Sequence, residues 1–369
     1  MNSAQKLHEL GQSVWYDNIS RDLLQNGELA RMICEWGVRG LTSNPTIFDQ
    51  AISKSSVYDQ TISILKTKHQ TPDSVFEELA LEDIAAAADL LRPIYDSSKG
   101  DDGFVSIEVS PLLAANTSGT IEEGRRLYKR LSRPNIMIKV PGTPEGIPAV
   151  QALLEDGVNV NITLLFSVSN YIDVAKTFVN ALRTRVGKNQ PIDKIRSVAS
   201  FFVSRVDSIV DKRLEEIAKQ SPDRAAAASS LLGKFGIANS KLAYHEYLRI
   251  FGKEFDDLRK AGGVPQRPLW ASTSTKNPKY RDVMYVEELI GRDTVNTMPH
   301  QTVEAFVDHG IAKKDSVISG VEEARSIERS LREIGVDLNA LMLELQVDGV
   351  KKFSESFVAL NNTLKKKMG

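Results

Sequence analysis

The chain has 369 residues, of which 41% are hydrophobic and 26% are charged, as is ordinary for a globular protein. Its 47 basic residues nearly balance its 48 acidic residues, so no overall positive charge favours nucleic acid or a membrane surface. The single cysteine, Cys34, excludes an internal disulfide and any metal site with several cysteine ligands. Cys34 lies in a helical pattern, and we expect it to be a core thiol.

No apolar run approaches the length of about 18 residues that predicts a membrane-spanning helix. The first residues are polar and contain no apolar signal-peptide core, so we expect a cytoplasmic protein. The histidines are scattered over segments that we interpret as helices or loops, and they form no pair with metal-ligand spacing; they are His8, His69, His245, His300 and His309.

Short apolar or β-branched runs alternate with helical patterns along the chain. The predicted strands cover residues 13–18, 38–44, 104–110, 136–141, 158–167, 197–205, 267–273 and 294–299. Helices are predicted between them, for example over residues 77–91, 146–155, 168–185 and 302–309. Strands that alternate with helices pair in parallel through right-handed crossovers. Eight such units predict an α/β fold of the (β/α)8 barrel type.

Two longer helical stretches are added to this pattern. Residues 207–260 are rich in Ala, Lys and Glu and predict helices inserted after the sixth strand. Residues 316–368 predict a helical tail, in which apolar residues such as Leu331, Ile334, Leu338 and Leu341 recur at helical spacing. Because no repeat or low-complexity linker divides the chain, we expect one domain over residues 1–369 and no second enzyme domain.

Three charged residues interrupt strands at the end that carries the chemistry in a barrel: Asp17, Glu108 and Lys139. Alone, Lys139 is more simply explained as a solvated strand end, and Asp17 fits a helix N-cap as well as catalysis. Together they favour a site, since buried charges contribute little net stability. A buried lysine tends towards the neutral amine, which can form a Schiff base with a carbonyl. Two neighbouring carboxylates could then move the protons.

A phosphate site can be assembled at the ends of the sixth and seventh strands, where barrels often bind phosphate. Arg205 offers two parallel hydrogen bonds to an oxyanion. Polar residues surround it in the predicted barrel, namely Ser200, Ser272, Ser274 and Lys276. Without Arg205, an ordinary polar turn would explain the Ser/Thr run at residues 272–275 equally well.

Three segments resemble the transaldolase family in their order and spacing. Residues 41–48 (Leu-Thr-Ser-Asn-Pro-Thr-Ile-Phe) are similar to its Thr-(Ser/Thr)-Asn-Pro signature. Residues 138–146 (Ile-Lys-Val-Pro-Gly-Thr-Pro-Glu-Gly) resemble its Schiff-base lysine motif, and residues 161–167 (Asn-Ile-Thr-Leu-Leu-Phe-Ser) its strand-five motif. The resemblance covers roughly residues 10–310. The insertion, the tail and Trp-Ala-Ser-Thr-Ser at residues 270–274 look like the longer bacterial transaldolases.

The resemblance implies a reaction of the non-oxidative pentose phosphate pathway. A dihydroxyacetone unit would pass reversibly from sedoheptulose 7-phosphate to glyceraldehyde 3-phosphate, giving erythrose 4-phosphate and fructose 6-phosphate. The substrates would be sugar phosphates, and the imine would act as the electron sink, so that neither metal nor organic cofactor is required. The choice between monomer and homodimer stays open.

The resemblance also implies roles for matched residues. Lys139 would be the Schiff-base nucleophile, Asp17 would exchange a proton with the C4 hydroxyl, and Glu108 with Thr163 would move protons through a water. Asn44 and Asn161 would bind the dihydroxyacetone unit. The other substrate-binding positions would be Thr42, Ser200, Arg205, Ser272 and Lys276, of which Ser200, Arg205 and Ser272 would hold the phosphate. Many relatives have an arginine shortly after the position of Ser272, and here Lys276 would replace it as a point charge.

Two alternatives remain. The first is a fructose 6-phosphate aldolase of the same superfamily. Glu108 and Phe202 favour the transferase, because the aldolase branch typically carries Gln and Tyr at these places. The second is a barrel that only binds sugar phosphate, with Lys139 as an anion ligand. Asp17 and Glu108 argue against it, since they would repel phosphate oxygens beside the lysine.

Overall fold

In the computed structural model, which describes residues 1–68 and 71–369, eight parallel strands close into a barrel in sequence order. They are β1 (Gln12–Tyr16), β2 (Val38–Leu41), β3 (Val105–Glu108), β4 (Ile136–Pro141), β5 (Val160–Leu165), β6 (Ser197–Phe202), β7 (Arg267–Ala271) and β8 (Thr294–Met298). Pairing of β1 with β8 closes the barrel. The predicted (β/α)8 barrel is confirmed.

Both faces of the strands are covered, which explains their consecutive apolar residues. Every residue of β4, β5 and β6 is buried. Alternate residues of different strands, such as Trp15, Met137 and Leu269, belong to one apolar cluster that fills the barrel. The bottom and middle of the barrel are therefore packed, and polar side chains remain for its C-terminal mouth.

The predicted strands are mostly too long, and only β4 has the predicted bounds. The excess lies mainly at the C-terminal ends, where the chain leaves the sheet and turns towards the next helix. At the sixth strand, β6 ends at Phe202, and Val203 has helical dihedral angles (φ −104°, ψ −69°). Ser204 and Arg205 therefore begin a helix, and the placement of Arg205 on the strand is wrong.

Helices of the first half precede and surround the barrel. They are α1 (Ser3–Glu9), α2 (Arg21–Gln25), α3 (Glu28–Arg31), α4 (Pro45–Lys54), α5 (Asp59–Leu65), α6 (Pro72–Ser97), α7 (Thr117–Leu131), α8 (Gly146–Glu155) and α9 (Val168–Gly187), with a 3-10 turn at Pro111–Leu113. Cys34 lies in a π-helical turn, Met32–Trp36. The prediction that it is a core thiol is wrong: Met32 and Trp36 face inwards, and Cys34 is exposed.

Helices of the second half include both stretches added to the barrel pattern. They are α10 (Ser204–Gln220), α11 (Ala225–Ser230), α12 (Phe235–Ile250), α13 (Asp256–Lys260), α14 (Met284–Glu287), α15 (His300–His309), α16 (Val321–Glu333) and α17 (Leu338–Met368), with a 3-10 turn at Lys253–Phe255. In the tail, α16 packs on α12, whereas α17 packs on α4 and α6. No helix in the described part of the chain is long and apolar enough to cross a membrane.

The last helix, α17, is fixed over the ends of β4 and β5. Gln346 Nε2 donates to the carbonyl oxygens of Gly142 and Leu164 at 3.1 and 3.2 Å. Leu164 lies at an irregularity of β5 with a left-handed backbone (φ +60°), and its side chain packs on Gly349. A Cβ at Gly349 would meet Leu164 Cδ2 at 2.8 Å, so the glycine permits this close approach. The contact places Phe353 of α17 over the barrel mouth.

Candidate active site

The C-terminal ends of the strands surround a cavity of about 580 Å³, which we call the mouth cavity. Most of the predicted site residues line it: Asp17, Thr42, Asn44, Lys139, Thr163, Ser200, Arg205, Ser272 and Lys276. The two others, Glu108 and Asn161, lie beside and beneath it. The cavity therefore brings together residues from β4, β5 and β6 with residues that follow β1, β2, β6 and β7.

Lys139 lies on the floor of the mouth cavity. In the strand register it is opposite Glu108 of β3 and Asn161 of β5, and its side chain is only 7% exposed. Its Nζ donates to the carbonyl oxygen of Ser43 at 3.2 Å and lies 3.5 Å from Glu108 Oε2. The ring of Phe353 covers the amine, with 5.5 Å between Nζ and the ring centroid. These contacts hold the amine in one place between two oxygen acceptors and one aromatic ring.

Glu108 is buried, with a side chain that is 4% exposed. Burial raises its pKa to about 7; the Lys139 ammonium opposes this shift and the Asp17 carboxylate adds to it. At 3.5 Å the contact with Lys139 is an ion pair at the outer limit of hydrogen-bond length. Neither carboxylate oxygen has a hydrogen-bond partner of ordinary geometry among the described residues. With this pKa, the carboxyl group can both donate and accept a proton near neutral pH.

Asp17 follows β1, and its backbone N–H still donates to Met298 O at 2.9 Å. Its Oδ1 accepts a hydrogen bond from Thr42 Oγ1 at 2.7 Å, and Thr42 Oγ1 lies 2.6 Å from Thr297 Oγ1. The hydroxyl groups therefore fix the carboxylate at the cavity wall. The N-cap alternative for Asp17 is wrong, because Ser20 caps the next helix, α2.

Asn161 is fully buried and does not line the mouth cavity. Its Nδ2 donates to Ser106 Oγ at 3.0 Å, and its Oδ1 accepts from Ser200 Oγ at 2.7 Å. Both ends of the amide are thus engaged inside the barrel. Asn161 orients Ser200, and it is Ser200 that reaches the cavity.

Asn44 and Thr163 reach the mouth cavity from opposite sides. Asn44 caps α4, with its Oδ1 accepting from Ile47 N at 3.0 Å. Thr163 Oγ1 is buried and has no hydrogen-bond partner in the described part of the chain. A buried hydroxyl group without a partner is costly, and a water or substrate hydroxyl beside Thr163 would relieve that cost.

Two cations lie at the outer end of the mouth cavity. The Arg205 guanidinium lies over the Phe202 ring at 5.1 Å, and its buried Nη1 has no hydrogen-bond partner among residues 1–68 and 71–369. Burial lowers the pKa of Arg205. In the loop after β7, Lys276 Nζ donates to Ser274 Oγ at 2.7 Å. Burial, and then the neighbouring Arg205, lower the pKa of Lys276. The positive charges of Arg205 and Lys276 repel each other, and an anion bound between them would relieve this repulsion.

Ser272 lies between these cations and the barrel. Its backbone is in the left-handed region (φ +56°), which is uncommon for a residue with a side chain. Its hydroxyl oxygen lies 2.8 Å from Ser204 Oγ, and its carbonyl oxygen accepts from Ser204 N at 2.9 Å. Residues held in such conformations cluster at active sites and ligand clamps.

The chain as a whole is similar to known proteins. The sequence model of the family described as transaldolase/fructose-6-phosphate aldolase matches residues 14–364. The chain belongs to this family. Transaldolase from Thiobacillus denitrificans (strain ATCC 25259 / T1) is 45% identical over 361 residues, which are 98% of this chain and 99% of that protein. Transaldolase from Trichodesmium erythraeum (strain IMS101) is 43% identical over 372 residues, 100% of this chain and 98% of that protein.

A further relative, transaldolase 2 of Nostoc sp. (strain PCC 7120), is 43% identical over 374 residues, 100% of this chain and 98% of that protein. These full-length relatives are all named transaldolases. The predicted membership of the family, the transferase class and the transaldolase activity are therefore confirmed.

Several residues that line the mouth cavity of this member of the transaldolase family were not predicted from the sequence. They are Thr297 of β8, and His300 and Gln301 at the start of α15. Thr297 is a polar residue near the end of the eighth predicted strand, so its position in the sequence already indicates a place at the mouth. Phe353 had no comparable indication, because an amphipathic tail does not reveal which strand it covers.

Among residues 1–68 and 71–369 no group of His, Cys, Asp and Glu side chains has an arrangement that could hold a metal ion. His69 lies outside the described residues. The independence from cofactors stays a prediction of the resemblance.

Proposed function

We propose that this protein transfers a dihydroxyacetone unit from sedoheptulose 7-phosphate to glyceraldehyde 3-phosphate through a Schiff base on Lys139. The observation that carries the proposal is the pair formed by Lys139 and Glu108, both buried and 3.5 Å apart at the edge of a polar cavity. Imine formation needs a nucleophilic amine and an adjacent acid that can later act as a base. The pair supplies both.

Imine formation begins when the neutral Lys139 amine attacks the C2 carbonyl carbon of the ketose. One proton then moves from the attacking nitrogen, through a water, to the former carbonyl oxygen, which gives a carbinolamine. The Glu108 carboxyl group then supplies a proton, through a water held near the Thr163 hydroxyl, and the carbinolamine hydroxyl leaves as water. A pKa of about 7 allows Glu108 to donate this proton and to recover one when the imine is hydrolysed.

Carbon–carbon cleavage follows at the imine. Asp17 removes the proton of the C4 hydroxyl, the C3–C4 bond breaks, and erythrose 4-phosphate leaves as the aldehyde. The bonding electrons pass to the iminium group and give an enamine. The enamine carbon attacks the carbonyl carbon of glyceraldehyde 3-phosphate, Asp17 returns its proton to the new hydroxyl, and hydrolysis releases fructose 6-phosphate. The hydrogen bond from Thr42, at 2.7 Å, orients Asp17 for this exchange.

The remaining residues bind the substrate. Asn44 and Ser200 contact the dihydroxyacetone hydroxyls, and Asn161 supports Ser200 from below. Arg205, Lys276 and Ser272 hold the phosphate group, with Arg205 as the bidentate donor. Lys276, rather than Ser274, takes the place of the arginine of many relatives, because it carries the charge while Ser274 accepts its hydrogen bond.

We also propose that the protein acts in the cytoplasm and is one domain, a monomer or homodimer. The single cysteine supports the cytoplasm, where disulfides are rare. Packing of α17 on α4 and α6, and of α16 on α12, supports a tail that belongs to its own barrel. Sedimentation of the full chain distinguishes monomer from homodimer.

Borohydride reduction in the presence of fructose 6-phosphate tests the Schiff base. We expect a mass increase equal to one reduced dihydroxyacetone unit on the peptide that contains Lys139, and none in Lys139→Ala. Lys241→Met is the matched control, because Lys241 is a buried lysine paired with Glu288 at 3.0 Å, away from the mouth cavity. It should retain the adduct. No adduct on native Lys139 would refute the mechanism.

A coupled assay with sedoheptulose 7-phosphate and glyceraldehyde 3-phosphate tests the transfer. Product formation should depend on both substrates and disappear in Lys139→Ala. Release of free dihydroxyacetone from fructose 6-phosphate, at the same rate with and without an acceptor aldehyde, would contradict transfer and favour the aldolase reaction.

A further inference from the structure

A second cavity, of about 550 Å³, lies on the other side of Glu108, and we call it the side cavity. It is bounded by the end of β3 and by α4, α6, α7 and α17. Its walls are largely apolar, with side chains that include Phe48, Phe76, Ile107, Leu127 and Phe357. The volume is in the range of sites that bind small molecules. Asn44 lines both cavities, and of the four residues given catalytic roles above only Glu108 lines the side cavity.

Glu108 is the polar group at the inner end of the side cavity. Its Oε2 faces Lys139, and neither Oε2 nor Oε1 accepts a hydrogen bond of ordinary geometry in the described part of the chain. Its side chain is 96% buried, as the 4% exposure shows. A buried carboxylate without donors is costly, so a donor that enters the side cavity and reaches Glu108 gains the interaction that the protein leaves open.

The outer part of the side cavity is acidic. Asp73, Glu77, Glu122 and Glu123 line it, and Arg126 is the basic residue in the same lining. Arg126 is already engaged, because both of its terminal nitrogens contact the Glu77 carboxylate. Burial raises the pKa of Asp73, with a further rise from Glu77, and burial also raises the pKa of Glu123. These raised pKa values reduce the negative charge of Asp73 and Glu123, but the lining still contains more acidic than basic side chains, which favours a cation over an anion.

We propose that the side cavity binds a compact apolar cation, such as an aromatic amidinium, which places its charge on Glu108 and inhibits the enzyme. An amidinium can donate a hydrogen bond to Glu108 Oε1, the oxygen that does not face Lys139, and its ring fits between aromatic and aliphatic walls. The inhibition rests on the function proposed above: a carboxylate held by a cation cannot protonate the carbinolamine. The binding itself does not depend on that function.

Calorimetric titration of the full chain without sugar tests the binding. Benzamidine is the probe, and benzamide and benzoate are its neutral and anionic counterparts. We expect benzamidine to bind at least about tenfold more tightly than benzamide, and benzoate not to bind. Glu108→Gln should weaken benzamidine binding about tenfold or more. Ala80→Leu, which adds volume to the α6 wall of the side cavity, should weaken both benzamidine and benzamide.

Two binding results would overturn the proposal. Equal affinity for benzamidine and benzamide would show that charge is not recognised. Equal benzamidine affinity in the native protein and in Glu108→Gln would show that Glu108 is not the partner. Neither result requires an active enzyme.

Steady-state kinetics test the inhibition. Benzamidine should lower kcat and leave KM for the sugar phosphate unchanged, since it occupies a cavity of its own. Competitive inhibition would place the probe in the mouth cavity and overturn the proposal. If borohydride traps no imine on Lys139 while the native protein still binds benzamidine tenfold more tightly than Glu108→Gln does, the side cavity is supported and the proposed reaction is refuted.

Discussion

Replacing Glu108 by glutamine should stabilise the protein at neutral to alkaline pH while it reduces activity. The pKa of this carboxyl group rises from an ordinary 4.5 to about 7 on folding, chiefly because of burial. Each pKa unit corresponds to about 1.4 kcal/mol, so ionised Glu108 costs the folded state about 3 kcal/mol. The attraction of Lys139, 3.5 Å away, is already included in this balance and does not overcome burial. Glutamine has the same shape and never ionises.

The sign of the pH dependence follows from linkage. A group with a raised pKa in the folded state binds its proton more tightly there than in the unfolded state. Its stabilising contribution is complete below about pH 4.5 and is lost as the pH rises through about 7. Glu108→Gln should therefore match the native protein near pH 4.5 and exceed it by about 3 kcal/mol near pH 8.

Thermal unfolding measures this difference. At about 2.1 cal/mol/K per residue, 369 residues give an unfolding entropy of about 0.8 kcal/mol/K. A gain of about 3 kcal/mol then raises Tm by about 4 °C near pH 8 and by little near pH 4.5. Other titrating groups are common to both proteins, so the comparison isolates Glu108. Turnover should fall about 100-fold or more, since a positioned acid/base contributes that much. A lower Tm of Glu108→Gln near pH 8 would show that Glu108 stabilises the fold as an ion-pair partner, and would refute the reasoning.

Other variants test the rest of the site. Asp17→Asn should lower turnover about 100-fold or more, while borohydride still traps the fructose 6-phosphate adduct on Lys139; unchanged turnover would remove Asp17 from proton transfer. Lys276→Gln should raise KM for glyceraldehyde 3-phosphate about tenfold and leave KM for unphosphorylated glyceraldehyde unchanged. An equal rise of KM for the two aldehydes would place Lys276 outside the phosphate site. Phe353→Ala should cost about 3–5 kcal/mol in denaturant unfolding and Phe353→Leu about 1 kcal/mol. If Phe353→Ala lowers the free energy of unfolding by less than about 3 kcal/mol, the Phe353 ring is not packed over Lys139.

The barrel could be predicted because its information is local. A strand covered on both faces is an apolar run, and each helix between strands has its own period, so eight alternating units appear in the sequence without any knowledge of contacts. The ends of the strands were less accurate. The sequence 203–205 continues a strand-like pattern, but Val203 turns the backbone and Arg205 begins α10. Cys34 was misplaced for a related reason: a helical pattern does not reveal which side of a single turn faces the core.

The place of the three charged side chains at the strand ends could also be predicted, since they stand out as charges in apolar strands. Lys139 and Glu108 are opposite each other in the register of β3 and β4. Their contact is therefore expected as soon as the pairing of these two strands is known. The position of Asn161 could not be predicted. Whether a polar residue of a strand reaches the cavity or stays beneath it depends on height in the barrel, and here Ser106 and Ser200 hold the amide below the floor.

The sequence by itself determined the (β/α)8 architecture and the positions of Asp17, Glu108 and Lys139 at the ends of strands, because periodicity and charge within apolar runs are properties of short segments. Only the tertiary structure decided what surrounds Lys139. Phe353 reaches it from the last helix, fixed through Gln346 to the ends of β4 and β5, and the side cavity forms where four separate helices meet the end of β3. Contacts between distant segments set the burial of Glu108, and burial sets its pKa, so the protonation state of the site is a property of the folded chain.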